Sequence, residues 1–140
     1  MKNYMLIFCF LSATMLFAQS EEVQVRETLN RYLHGSSYSY PDLITSAFYE
    51  EAPLFLSKED QEIYLFSPKK YANLFEKRDR GAFNGRYTKI LNIDISNDIA
   101  TAKAEIHIAK RNMRLIDIFL LKRLSGEWKI ISKAATLMPE

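Results

Sequence analysis

The sequence predicts one small α+β domain behind an N-terminal export signal. Three observations carry this: apolar residues recur at helical spacing through the first half, the last third changes to a period of two, and the first 18 residues hold a single charge, Lys2. The order, helices first and a strand meander last, separates α+β from an alternating α/β arrangement.

After Lys2 an apolar stretch runs from Tyr4 to Phe17, which is the shape of a signal peptide. A membrane-spanning helix needs about 20 predominantly apolar residues, and Gln19, Ser20, Glu21 and Glu22 interrupt the run before that. Cleavage after Ala18 is the simplest reading, with an uncleaved anchor or a lipoprotein as alternatives. Cys9 lies behind bulky Phe8, where a lipobox wants a small residue. The expected organisation is a signal peptide over 1–18 and one domain over 19–140, exported to periplasm or exterior, with no stable membrane span after processing.

Cys9 is the sole cysteine, so the mature chain forms neither a disulfide framework nor a thiolate metal site. The chain carries 19 Lys+Arg against 17 Asp+Glu, a balance that predicts no steering toward nucleic acid. His34 and His107 are the only histidines and have no acidic partners at zinc-ligand spacing, so neither a metal nor a cofactor is expected. P-loop, dinucleotide and nucleophile-elbow signatures are absent from the sequence.

Along the chain, Val23, Val25, Leu29, Tyr32 and Leu33 mark a helix over Glu22 to His34, with Gly35 where it would end. Pro41 and Asp42 open a second helix with Leu43, Ile44, Ala47 and Phe48 as its apolar stripe, closed by Pro53. Leu54 to Leu56 and Ile63 to Phe66 are short apolar pieces around a charged turn. Ser67-Pro68 opens a third helix through Tyr71, Leu74 and Phe75, and Arg78 to Asn84 is a loop.

Four strands follow: Arg86 to Ile95, Ile99 to Ala109, Met113 to Leu124 and Glu127 to Thr136. Asn97-Asp98 and Ser125-Gly126 suit tight hairpin turns. Two-residue loops there, and a three-residue loop over Lys110 to Asn112, place Leu91, Ile93, Ile95, Ala100, Ala102, Ala104, Ile106, Ile108, Ile116, Ile118, Leu120 and Ile131 on one apolar face. Lys103, Glu105, His107, Asp117, Phe119, Trp128 and Ser132 fall on the other, a polar and aromatic mixture that reads as a homodimer interface through the sheet.

Tyr32-Leu33-His34-Gly35, Asp42, Asp117 within a strand, and the closing Gly126-Glu127-Trp128-Lys129-Ile130-Ile131-Ser132-Lys133 occur in an order that resembles the nuclear transport factor 2-like superfamily. Within it the chain is most similar to the putative lumazine-binding family. The resemblance implies a cone of curved, mostly antiparallel sheet wrapped around the N-terminal helices, open at one end to a pocket and frequently dimeric. It also implies a similarity to ketosteroid isomerases, in which a Tyr and a neutral Asp donate hydrogen bonds to an enolate while a second Asp moves the proton. Tyr32 and Asp117 match the first two positions. The third falls near Leu56, and leucine accepts no proton; Glu59 or Asp60 would serve only after a shift.

Asp117 stands inside Leu115-Ile116-Asp117-Ile118-Phe119-Leu120-Leu121, where burial raises a carboxyl pKa unless cations or donors compensate. It is therefore the candidate catalytic residue, or a structural carboxylate paired with Lys103 or His107. A pocket role needs it to face the helices, against the register above, and one β-bulge would reverse that. Tyr64, Phe66, Tyr71, Phe75 and Tyr87 either line a ring-stacking pocket or fill the core. Lys133 is either a partner for a carboxylate or an exposed strand-end charge.

The expectation is an exported protein binding a small aromatic or apolar ligand through Tyr32, Asp117 and Tyr64. The alternatives are an acid/base isomerase or dehydratase using Asp117, and a non-catalytic dimerisation module.

Overall fold

Two tight turns frame the C-terminal sheet in the computed structural model, which describes residues 2–58 and 60–139, with side chains from residue 20 onward. The side chains of the expected signal peptide lie outside the described residues, as do Glu59 and Glu140. At the first turn, between β3 (Arg86–Ser96) and β4 (Ile99–Ile108), Asn97 takes φ 55°; at the second, between β5 (Met113–Leu124) and β6 (Glu127–Leu137), Ser125 and Gly126 take φ 50° and 82°. Both are left-handed conformations that Asn and Gly adopt at low cost, and they set the strand ends as expected, Ser96 opposite Ile99 and Leu124 opposite Glu127.

The middle connection differs from the expectation. A 3₁₀ turn over Ala109–Arg111, closed by Asn112 at φ 48°, makes the loop four residues long rather than three, and Ile108 pairs with Met113. One added residue turns every side chain of β5 over relative to β4. Leu115, Asp117, Phe119 and Leu121 face inward, whereas Ile118 and Leu120, expected in the core, are 50% and 37% exposed. Two bulges complete the correction. The β3–β4 pairing skips Leu91, which is turned out, and the β5–β6 pairing skips Ile131, so that Trp128 and Ile130 before it and Lys133 after it share the buried face.

The meander is four strands of a six-stranded sheet in the order β2-β1-β6-β5-β4-β3. β1 (Leu54–Lys58) and β2 (Gln61–Phe66) form the hairpin built on the two short apolar pieces, and β1 runs parallel to β6 through Leu54 opposite Lys133. Pro53 lies at that junction, its carbonyl accepting from the Lys133 amide at 3.1 Å; it does not close a helix.

Three helices lie against the inner face. α1 (Lys2–Ser37) continues past the expected stop at Gly35, because that glycine serves packing: a Cβ there would stand 3.0 Å from the Ile44 side chain and 3.1 Å from the Ile44 backbone. α2 (Pro41–Ala47) begins at Pro41 as expected and ends at Ala47, six residues short of Pro53. α3 (Pro68–Ala72) is capped by the Ser67 hydroxyl accepting from the Lys70 amide, and a 3₁₀ turn carries it on to Phe75. Val25, Leu29 and Tyr32 of α1 meet Ile106, Phe119, Leu121, Trp128 and Ile130 of the sheet in one core. At one end of the cone, Glu21 accepts from Trp128 Nε1 at 2.8 Å and pairs with Arg123, pinning α1 to the β5–β6 hairpin.

Candidate functional site

The inward turn of β5 delivers Asp117 to α1. Tyr32, fully buried one turn before the end of that helix, donates its hydroxyl to Asp117 Oδ2 at 3.0 Å. Lys133 Nζ donates to the same oxygen at 2.9 Å, and both members of this ion pair have 2% of their side-chain surface exposed. The Ile131 bulge creates the pair: with Lys133 opposite Phe119 and Ala135 opposite Asp117, the lysine lies diagonal to the carboxylate on the inner face. Lys133, not Lys103 or His107, is thus the partner of Asp117, and the first of its two expected roles is the observed one. Its ammonium also lies 5.6 Å and 5.8 Å from the ring centroids of Tyr32 and Tyr71.

Tyr32 is the hub. Burial, and after it the Asp117 carboxylate, push its phenol well above the usual range, so it remains a neutral donor. Its one proton goes to Asp117, and therefore Tyr71, 3.4 Å away, donates to the Tyr32 oxygen. Arg86 Nη2 donates to that oxygen at 3.3 Å. Phe48 and Phe119 pack edge-on against the Tyr32 ring at centroid distances of 5.3 Å and 5.7 Å. These contacts close over the Tyr32–Asp117 pair, and both residues are buried.

The hollow next to the pair is one layer out. It is about 590 Å³, at the mouth of the cone, and Tyr71 and Arg86, the two residues that donate to Tyr32, form part of its wall. Arg86 opens β3 on the inward-facing phase. Its Nε donates to Ser36 Oγ at 3.2 Å, and its carbonyl accepts from Ser37 Oγ at 2.7 Å, so the end of α1 aims the guanidinium. Burial disfavours its charge, but Tyr71, Tyr32 and Asp117 more than offset this and hold its pKa above the usual arginine range.

Tyr64 is half-buried on β2, with Phe66 as its ring neighbour at 4.8 Å, and makes no hydrogen bond to Tyr32 or Asp117. Leu56 pairs with it across the β1–β2 hairpin. Asp60 is exposed at the hairpin end, 3.6 Å from Lys58. Asp42 is spent on a two-point pair with Arg80, at 2.7 Å and 3.1 Å, which holds its carboxyl below the usual range and ties α2 to the 78–84 loop. His107 is exposed on the outer face beside Tyr87. Arg86 is the site residue that the sequence reading missed, though it could have been found as the cation at the first inward position of β3; for Lys133 the sequence offered a carboxylate partner, and the bulge hid that the partner is Asp117.

The putative lumazine-binding family matches residues 20–134. A crystal structure of an NTF2-like protein of unknown function from Shewanella baltica superposes with a TM-score of 0.74 at 21% identity, over 86% of this chain and 96% of that one. Another, from Methylobacillus flagellatus, reaches 0.70 at 26% identity, over 86% and 94%. A ketosteroid isomerase-like protein from Erwinia carotovora atroseptica reaches 0.61 at 10% identity, over 84% and 96%. No curated protein matches the sequence.

Proposed function

Because the chain belongs to the putative lumazine-binding family, we propose that it is an exported small-molecule binding protein, its aromatic or apolar ligand held at the cone mouth. One observation carries the reading: Tyr71 and Arg86 each contact both the hollow and Tyr32, so a ligand there would be oriented by groups whose positions Tyr32 and Asp117 fix. The lining of the hollow sets Tyr71, Leu74, Phe75, Phe83 and Ile108 among polar and charged side chains, and convergent polar groups are what orients a ligand in such a site. Acid/base turnover by Asp117 is disfavoured, because its Oδ2 is engaged by both Tyr32 and Lys133, and the isomerase resemblance lays Leu56 near the position of the proton-moving acid.

Native mass spectrometry of protein purified from its own cells tests this. The expected result is a chain beginning near Gln19 with a small molecule retained. A flat heterocycle such as a pterin should then stabilise the stripped protein, by roughly 2.7 kcal/mol at a hundredfold excess over Kd. Unliganded protein that no flat heterocycle stabilises would remove the reading. Export is consistent with the placement of Glu21, which cleavage after Ala18 would leave in the mature chain to hold Trp128 and Arg123.

The outer sheet face is the proposed homodimer contact. Lys103, Glu105, His107 and Ser132 lie on it as expected, Asp117, Phe119 and Trp128 are turned inward, and Leu65, Phe55, Ala134 and Ile118 form an exposed apolar row across β2, β1, β6 and β5. Analytical ultracentrifugation should find a dimer that Ile118→Glu converts to a folded monomer; a wild-type monomer at all concentrations would exclude it.

A further inference from the structure

The hollow at the cone mouth has a charge pattern of its own. Arg86 is in its wall, Lys77, Arg78, Lys110 and Arg111 surround it, and Asp79 is the one carboxylate lining it. Nine ion pairs form among the described residues, and none includes any of these five cations. Five cations against one carboxylate around a concave, partly apolar surface focus a positive potential into it.

Arg86 makes that potential specific. Ser36 Oγ takes its Nε and the Tyr32 hydroxyl takes one hydrogen of Nη2, while Nη1 meets no acceptor among the described residues. What is left open is the end of the guanidinium, Nη1 with the second hydrogen of Nη2, the fork that binds two oxygens of one anion. Its position is held from behind by two hydrogen bonds, so little side-chain entropy remains to be lost on binding. In the same lining, Leu74 and Phe83 are the exposed apolar side chains, at 49% and 43%, and offer surface to a ring.

We propose that this hollow binds a small aromatic oxyanion, its anionic group on the open fork of Arg86 and its ring against the exposed apolar lining of Leu74 and Phe83. The proposal rests on the ligand-binding reading above and adds the charge and chemical class of the ligand. The rim lysines and arginines then act by attraction, and Arg86 by geometry.

Titration calorimetry on the purified chain with naphthoate, naphthyl phosphate and neutral naphthamide, at low and at physiological salt, tests it. Both acids should bind roughly tenfold or more tighter than the amide, with affinity falling as salt rises, and the tighter of the two identifies the oxyanion. Arg86→Lys keeps the charge, removes the fork, and should weaken the acids by about tenfold. Should that variant fold poorly, the paired change Lys110→Gln and Arg111→Gln, both at exposed positions, should weaken the acids several-fold with no change in the amide. Equal binding of amide and acids would overturn the anion assignment and leave the hollow as a ligand site. No binding by any of the three would overturn both.

Discussion

Lys133 and Arg86 approach the same phenol from two sides, and their surroundings make them different instruments. Lys133 is enclosed, bonded to Asp117 Oδ2 at 2.9 Å, with its charge answered inside the protein. Arg86 gives two of its donors to Ser36 and Tyr32, leaves Nη1 without an acceptor among the described residues, and lines the hollow. The difference teaches where a ligand belongs. The polar pair at the heart of the cone is already satisfied and acts as the footing; the unpaired cation one layer out is the part still available for recognition.

Breaking the enclosed side should have the largest effect. Lys133→Met leaves Asp117 as a buried charge without its cation and is expected to destabilise by about 3–5 kcal/mol in urea unfolding. Adding Asp117→Leu to it should recover most of that, because exchanging a whole buried ion pair for apolar groups is often neutral or better. If the double variant is no more stable than the single one, the pair does more than satisfy itself, and Asp117 needs a polar role at the site.

The open side should respond in the opposite proportion. Arg86→Met removes two hydrogen bonds to hydroxyl oxygens and is expected to cost only about 1–2 kcal/mol, while ligand affinity, read by calorimetry, is largely lost. Equal stability losses for Arg86→Met and Lys133→Met would erase the distinction between a structural and a recognition cation.

How far the sequence discloses this site depends on counting residues in loops. Strand ends at Asn97-Asp98 and Ser125-Gly126 were legible because those dipeptides accept left-handed backbone cheaply. The face of β5 was not, because Ala109 joins the following loop as a 3₁₀ turn, and a single residue inverts a strand. Lys133 was legible as a partner for some carboxylate, but that the carboxylate is Asp117 was concealed, since nothing in Ile130-Ile131-Ser132 announces the bulge at Ile131. Tyr32 and Asp117 were identified as residues by helix phase and by the oddity of a carboxylate in an apolar strand. That they touch is a property of the register. Gly35 shows the limit of punctuation: glycine after an amphipathic run reads as a helix end, yet here it admits Ile44 against a helix that continues.

The smallest effect, and the one that best isolates the hub, is the pH response of Tyr32. Its folded pKa is raised by burial and by Asp117, so the fold favours the neutral phenol. That contribution is complete below the unfolded tyrosine value of about 10 and is lost as pH climbs from there toward the folded value. Urea midpoints should hold steady to about pH 9.5 and then fall. Ordinary lysines titrate near the same interval, so the wild-type curve alone does not isolate the phenol. Tyr32→Phe does, because it keeps Lys133, Asp117 and Arg86 and deletes only the hydroxyl. It should cost about 1 kcal/mol at neutral pH, and its curve should descend less steeply above pH 10. Parallel curves would mean that the phenol is not held neutral by the fold, and the footing beneath the hollow would then be the Lys133–Asp117 pair alone.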